Sequence, residues 1–418
     1  MQSGRAHRLE VGHVDHVTPD PNDSSVGQCR TFRYRLYPTV KQAQRLDLAL
    51  GLQCELYNAA LEDRRGAWRW EKRPVGYVEQ CRTLTELREV RPEVLDCGVT
   101  VCRGTLKRLD RAFCAFYRRC ARGEVPGFPR FKARSRFDSL QYEDTNGWRL
   151  KSEARRVALL GIGDVKVHLH REVRGTPKAI TVKREGRHWF VSIRCVEVET
   201  TPLAPTGREV GIDPGVVNLV ATSEGDLVDG ARLERRAAAR LARAQRELAT
   251  KQRGSMRRPP AKQLVADQHR RVRNRRRDLA HKLSRKLVDD YDLIVVEDLA
   301  VRRMVRRPAP RPWCDGGFEP NGARAKSGLN RSIHDAGWGE LVRMLAYKAE
   351  DAGRELRIVS PRCTSQRCSL CGHTDAASRR SQEAFECTAC GHRDHADVNA
   401  ARNILWAGRA QRASARAG

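Results

Sequence analysis

Two Cys-x-x-Cys pairs constrain this chain more than any other feature. Cys368/Cys371 and Cys387/Cys390 stand fifteen residues apart. That spacing lets two short turns present four thiolates to one Zn²⁺ ion in a tetrahedron. Gly372 and Gly391 follow the pairs and supply the backbone freedom that tight knuckles need. The segment 363–392 is therefore expected to fold as a ribbon organised by a metal. Four cysteines leave no open coordination position, which makes the expected zinc structural. Redox chemistry of a Cys-x-x-Cys pair ranks well behind this reading. Cys363, His373, His392 and His395 lie close by and read as polar residues of the ribbon loops rather than ligands.

Three carboxylates stand in settings that fix them rigidly. Asp213 ends Val210-Gly211-Ile212 and is followed by Pro214-Gly215, which stops a strand. Glu297 ends the apolar run Leu293-Ile294-Val295-Val296. Asp397 opens Asp397-Val398-Asn399-Ala400-Ala401-Arg402-Asn403-Ile404, a helical stretch that starts just after the ribbon. Ala400, Ala401 and Ile404 share its face, and the small alanines permit close packing on a sheet. Taken singly, each acid reads as a turn or helix cap. Taken together, they are what a metal-dependent phosphodiesterase requires: carboxylates that hold Mg²⁺, or Mn²⁺ in its place, so that one metal activates water and a second stabilises the leaving oxygen. Asp226, Asp298 and Asp394 are neighbouring acids left outside this set. Asp298 is expected to point away from Glu297, and Asp394 to lie near the site without belonging to it.

The charge points to the partner. Eighty Lys and Arg stand against 51 Asp and Glu, a formal charge of +29, and 66 of the basic residues are arginines. Guanidinium groups match phosphate bidentately and stack on bases, so a nucleic acid bound with strong salt dependence is implied. No apolar run approaches the length of a membrane span. Residues 1–28 carry no apolar signal core, so the cysteines are expected in a reducing cytoplasmic setting. A cytoplasmic protein bound to nucleic acid fits these observations.

The 418 residues suffice for several domains. Residues 1–28 read as a disordered leader. A strand over 32–37 is followed by helix, with Leu46, Leu50, Cys54, Tyr57 and Leu61 on one apolar face. Helices are expected over 78–90 and 99–121, then short alternating strands from about 123 to 200. The stretch 201–207, with two prolines, reads as a linker. A second α/β domain starts at Arg208. Its segment 231–286 carries 20 Lys/Arg and 4 Asp/Glu and is expected as a basic helical pair broken near Gly254–Pro260. Residues 303–330 read as an irregular Pro-, Gly- and Arg-rich stretch, 335–352 as helix, 356–359 as strand and 397–406 as the last helix.

In combination, Gly211-Ile212-Asp213-Pro214-Gly215, Val295-Val296-Glu297-Asp298-Leu299, Thr364-Ser365-Gln366-x-Cys368-Ser369-x-Cys371-Gly372 and Asp397-Val398-Asn399-Ala400-Ala401-Arg402-Asn403-Ile404 resemble the TnpB (OrfB) proteins of insertion sequences. Tyr34-Arg35-Leu36-Tyr37-Pro38-Thr39, Tyr57-Asn58-Ala59-Ala60-Leu61, Pro129-Arg130-Phe131-Lys132 and the stretch Asn330 to Trp338 extend the similarity over about 30–405. Ala396 stands before Asp397 where the family often has Arg. The family is similar to type V CRISPR effector nucleases. The resemblance implies an α/β multidomain fold: a RuvC-type RNase H-like core over 208–362 and 393–406 with the 231–286 helical insertion, an inserted zinc ribbon at 363–392, a wedge β-barrel over 29–40 and 123–200, a helical recognition insertion at 41–122 and a C-terminal tail at 407–418. It implies RNA-guided cleavage of double-stranded DNA, with a guide RNA from the transposon end and a short target-adjacent motif read by the N-terminal half. By the same token Asp213, Glu297 and Asp397 are the catalytic, magnesium-holding acids, Cys368, Cys371, Cys387 and Cys390 hold zinc, and the protein acts as a prokaryotic, nucleoid-associated monomer on its RNA. Two other readings compete: a transposase proper, joining DNA strands with the same acids, and a guided regulator that binds without cutting.

Overall fold

The computed structural model describes residues 28–229, 232–313 and 316–417. The proposed leader 1–28 lies outside them but for Gln28. The chain divides after Glu199 into two compact units.

The first unit opens with β1 (Gln28–Tyr37), whose Phe32, Tyr34 and Leu36 point inward at the period of two that a half-buried strand requires. Thr39 then caps α1 (Val40–Gly66): Gln42 N donates to Thr39 Oγ1 at 3.3 Å and Thr39 N to Gln42 Oε1 at 3.0 Å, a reciprocal capping box. Leu46, Leu50, Cys54, Tyr57 and Leu61 are all buried. Helices α2 (Tyr77–Arg82), α3 (Leu84–Val90) and α4 (Val99–Ala121) follow. Strands β2 (Ser139–Tyr142), β3 (Trp148–Lys151), β4 (Arg156–Leu159), β5 (Gly163–His168), β6 (Thr176–Glu185) and β7 (His188–Val198) complete an antiparallel seven-stranded sheet of order β2-β6-β7-β1-β5-β4-β3. One apolar cluster joins this sheet to the helices inserted between β1 and β2.

The second unit holds a mixed five-stranded sheet. It comprises β8 (Glu209–Asp213), β9 (Asn218–Thr222) and β10 (Leu227–Asp229), then helices α5 (Arg232–Ala249) and α6 (Arg258–Asp290), then β11 (Leu293–Glu297). Pro259 and Pro260 occupy the first turn of α6, where a missing N–H costs nothing. After the short α7 (Val301–Met304) come α8 (Ala323–Ala336), α9 (Trp338–Ala352) and β12 (Glu355–Val359). The hairpin β13 (Ala384–Glu386) and β14 (Arg393–His395) precedes α10 (Ala396–Ala417). The sheet order is β10-β9-β8-β11-β12, with β8, β11 and β12 parallel and β9 and β10 antiparallel.

Strand parity divides the residues of this sheet between two layers. Val210, Ile212, Ile294 and Val296 join one cluster with Leu287 of α6 and Leu345 of α9. Leu293, Val295 and Val359 pack instead with Ile404 of α10. Segment 201–207 is tied to this unit: Thr206 N and Gly207 N donate to Asp292, at 2.9 and 2.7 Å respectively.

Two expectations change. The stretch 303–330 is not irregular throughout, because α8 begins at Ala323, and Gly337 (φ 66°) separates it from α9. The last helix does not stop at 406. Alanine-rich sequence carries it on to 417, and Arg409 and Arg412 reach Glu209 of β8, so most of the proposed tail continues the helix.

Candidate active site and four-cysteine cluster

Parity also places the acids. Asp213 and Glu297 are odd-numbered, like the strand residues that face α10. In the parallel pair β8–β11, Ile212 faces Val296, so the two acids follow side by side at the carboxyl ends of adjacent strands. Asp397 lies in the first turn of α10. This helix sits directly on backbone: a Cβ on Gly211 would lie 2.1 Å from Ala401 O and 2.7 Å from Leu405 N, and one on Gly408 would lie 2.4 Å from Val295 Cγ2. The turn after Asp213 approaches the third acid, since a Cβ on Gly215 would lie 3.9 Å from Asp397 Oδ2. Trp338, the first residue of α9, pins this turn by donating from Nε1 to Gly215 O at 3.1 Å.

The electrostatics reflect the convergence. Burial, with the charges of Glu297 and Asp397 beside it, pushes the Asp213 carboxyl up to about 8, against a smaller opposing pull from Arg379. Burial also raises Glu297, while a hydrogen bond from Thr364 opposes the rise. A site that concentrates this much negative charge is suited to a cation.

The segment before α10 contributes two side chains that the sequence did not single out. Arg379 Nη2 donates to Asp397 Oδ1 at 3.1 Å, and Thr364 Oγ1 donates to Glu297 Oε1. Behind them, Asn403 Nδ2 donates to the backbone of Thr364 at 2.9 Å and of Arg367 at 2.7 Å. Asn399 bonds Ser369 N and Arg367 O. Both asparagines are buried. The spacing of Asn399 and Asn403, one helical turn, was the available signal. Of the neighbouring acids, Asp298 is exposed, and Asp394 is engaged by Arg402 at 2.5 Å.

The four cysteines come together. The Sγ atoms of Cys368, Cys371, Cys387 and Cys390 all lie within 4.8 Å of one another, the one such cluster found among the described residues. Cys368 N donates to His373 O and Cys387 N to His392 O, and Gly372 (φ 78°) and Gly391 (φ 71°) make the turns. The backbone N–H of Cys390 helps draw the Cys387 thiol below its usual range. Four convergent thiols with donors aimed at them fit a soft tetrahedral metal ion. Both histidines close the knuckles through their carbonyls, and neither they nor Cys363 and His395 join the cluster; His395 Nδ1 accepts from Asp397 N at 3.2 Å.

An α/β chain with three acids gathered at the carboxyl ends of two central strands and the start of a helix, and with a four-cysteine cluster able to hold a metal ion, is the class these observations define. Family profiles match residues 193–307 ("Probable transposase"), 338–404 ("Cas12f1-like, TNB domain") and 29–73 ("Helix-turn-helix domain"). Residues 29–73 form here a strand, one long helix and a closing turn. The chain is 34% identical over 383 residues to InsQ of Escherichia coli (strain K12), by its name a candidate RNA-guided DNA endonuclease, covering 91% of this chain and 92% of that one. A Streptomyces pristinaespiralis protein with the same kind of name is 35% identical over 388 residues, 91% of this chain and 90% of its own. The CRISPR-associated endodeoxyribonuclease Cas12f1 of Sulfoacidibacillus thermotolerans is 40% identical over 75 residues, 18% of each chain. The chain belongs to the TnpB (OrfB, IS605-type) family. No described helix is long and apolar enough to cross a membrane.

Proposed function

We propose that this protein is an RNA-guided, Mg²⁺-dependent DNA endonuclease encoded by an insertion sequence. The observation that carries the reading is the convergence of Asp213, Glu297 and Asp397, with Asp213 pushed up to about 8 by burial and then by the charges of the other two. The extended similarity to relatives named for RNA-guided DNA cleavage supplies the substrate class.

The second unit is read as an RNase H-like, RuvC-type core interrupted by a zinc ribbon. In support, a β8–β9–β10 meander is followed by two parallel strands, with acids ending the first and fourth strands and opening the last helix. The first unit is read as a wedge sheet whose helical insertion, 41–122, serves recognition. Cys368, Cys371, Cys387 and Cys390 would hold a structural Zn²⁺. Asp213, Glu297 and Asp397 would hold Mg²⁺, with Mn²⁺ able to substitute. The bound metal supplies Lewis-acid polarisation of the phosphate and a more acidic water. The residues of the chain position and balance this site. Strand ends fix Asp213 and Glu297. Thr364, held by Asn403, orients the Glu297 carboxylate. Arg379 brings a guanidinium suited to a phosphate oxygen to the side of Asp397. Double-stranded DNA is the substrate and the guide RNA the stable partner, bound largely through backbone and shape.

The test is cleavage of a DNA target matching RNA copurified from the native locus. Asp213→Asn is expected to abolish cutting while RNA remains bound. Protein stripped of RNA that still cuts the same DNA would refute guidance, and joined rather than cut products would favour a transposase proper.

A further inference from the structure

The end of α1 carries an exposed aromatic surface that none of the chemistry above uses. Residues Ala67–Glu71 wind into a single π turn, and the next residue, Lys72, takes up left-handed backbone at φ 54°. Such turns interrupt a helix at a cost and recur at functional positions. The turn displays Trp68, 57% exposed, and Trp70, 77% exposed. Indole is among the side chains that gain most from burial, so two tryptophans in water mark a surface that something else covers. The Arg69 guanidinium lies 4.8 Å from the centre of the Trp70 ring. One turn earlier, Arg65 lies 5.1 Å from the ring of Phe131, itself 48% exposed and part of the aromatic–basic stretch 128–132. Arginine–aromatic stacks of this kind present flat, cationic faces.

We infer that this turn is a stacking platform for unpaired bases of RNA. The inference rests on the guided-nuclease reading for the identity of the RNA. Flat faces fit nucleobases, and the flanking guanidiniums fit the phosphates that accompany them. A second copy of this chain would bring the same arginines face to face, and like charge opposes that pairing. A partner that stays bound also accounts for the exposure better than a DNA strand met only during cutting.

The experiment titrates full-length wild-type protein, Trp70→Ala, Trp70→Phe and Trp68→Ala against a short, unstructured, labelled single-stranded RNA, and against single-stranded DNA of the same sequence, by fluorescence anisotropy. Circular dichroism melts check that each variant folds, and Trp68→Ala carries the test if Trp70→Ala does not. Trp70→Ala is expected to weaken RNA binding on the order of ten-fold and Trp70→Phe to recover most of it. The salt slope should stay at its wild-type value, because no phosphate contact is removed. RNA affinity within about two-fold of wild type overturns the inference. So does a loss confined to single-stranded DNA, or a change in oligomeric state of the RNA-free protein. Wild-type protein that binds no RNA overturns the guided-nuclease reading instead.

Discussion

Asp213 couples the proposed chemistry to stability. In the metal-free fold its carboxyl is pushed from the ordinary 3.8 up to about 8. Between those values the folded chain holds a proton that the unfolded chain has released. The contribution of this group to stability is therefore fully present below about pH 4 and is lost as pH rises through about 8. Asp213→Asn has no proton to lose. Without added Mg²⁺ and with zinc retained, it should be more stable than wild type at pH 8, by at most about 5 kcal/mol, and equally stable at pH 4. Denaturant melts at the two pH values check this, and Mg²⁺ should stabilise wild type alone. The same variant should cut at least ~10²–10³-fold more slowly. Thr364 orients Glu297 by a hydroxyl bond, so Thr364→Val should raise the Mg²⁺ concentration needed for half-maximal cutting by ~10–100-fold with zinc content unchanged. The acids were legible in the sequence because each ends or opens a recognisable element. Arg379 was not, and Thr364 was visible only as the start of a family motif with no role attached, because only folding brings them to Asp397 and Glu297.

At the scale of elements, α10 holds the site together. It seats on Gly211 of β8, sets its own Gly408 against Val295 of β11, and carries Asp397 at its start. Through Asn399 and Asn403 it also holds the segment that bears Thr364. Gly211→Ala adds a Cβ that would lie 2.1 Å from Ala401 O. The helix must shift, at a cost of about 3 kcal/mol. Thermal melting should fall, and cutting should weaken although all three acids remain. The cysteine cluster is the second fixed element. Cys387→Ser should lower bound zinc, measured by metal analysis, and expose the ribbon to proteolysis. Cutting should fall with it, because Arg379 and Thr364 lie in the segment that the metal would organise. The two knuckles were readable from spacing alone, since a Cys-x-x-Cys turn is a local geometry. The run of α10 past 406 was not, because its support comes from Glu209, some two hundred residues away in the chain.

For the whole molecule, charge dominates. The formal +29 is concentrated in part along α5 and α6, but not every arginine there is available. Arg276 pairs with Asp335 and Arg277 with Glu340, tethering α6 to α8 and α9. The net positive charge should make RNA binding steeply salt-dependent, losing on the order of 10³-fold between about 50 and 200 mM salt, as an anisotropy series in NaCl would measure. A shallow slope would show that the excess charge serves something other than phosphate.

The four-cysteine cluster, the acids at the strand and helix ends, the basic helical pair and the kinship of the chain can all be read along the chain, because each follows from a local pattern of residue type and spacing. Which way those elements face is set by packing between distant parts of the chain. Strand parity and two bare glycines set α10 against the acid-bearing side of the sheet, and that packing brings Arg379 to Asp397 of α10 and Thr364 to Glu297 of β11. Contacts between residues distant in sequence leave no periodicity to read, so the composition of the site, unlike its three acids, emerges only when the chain is folded.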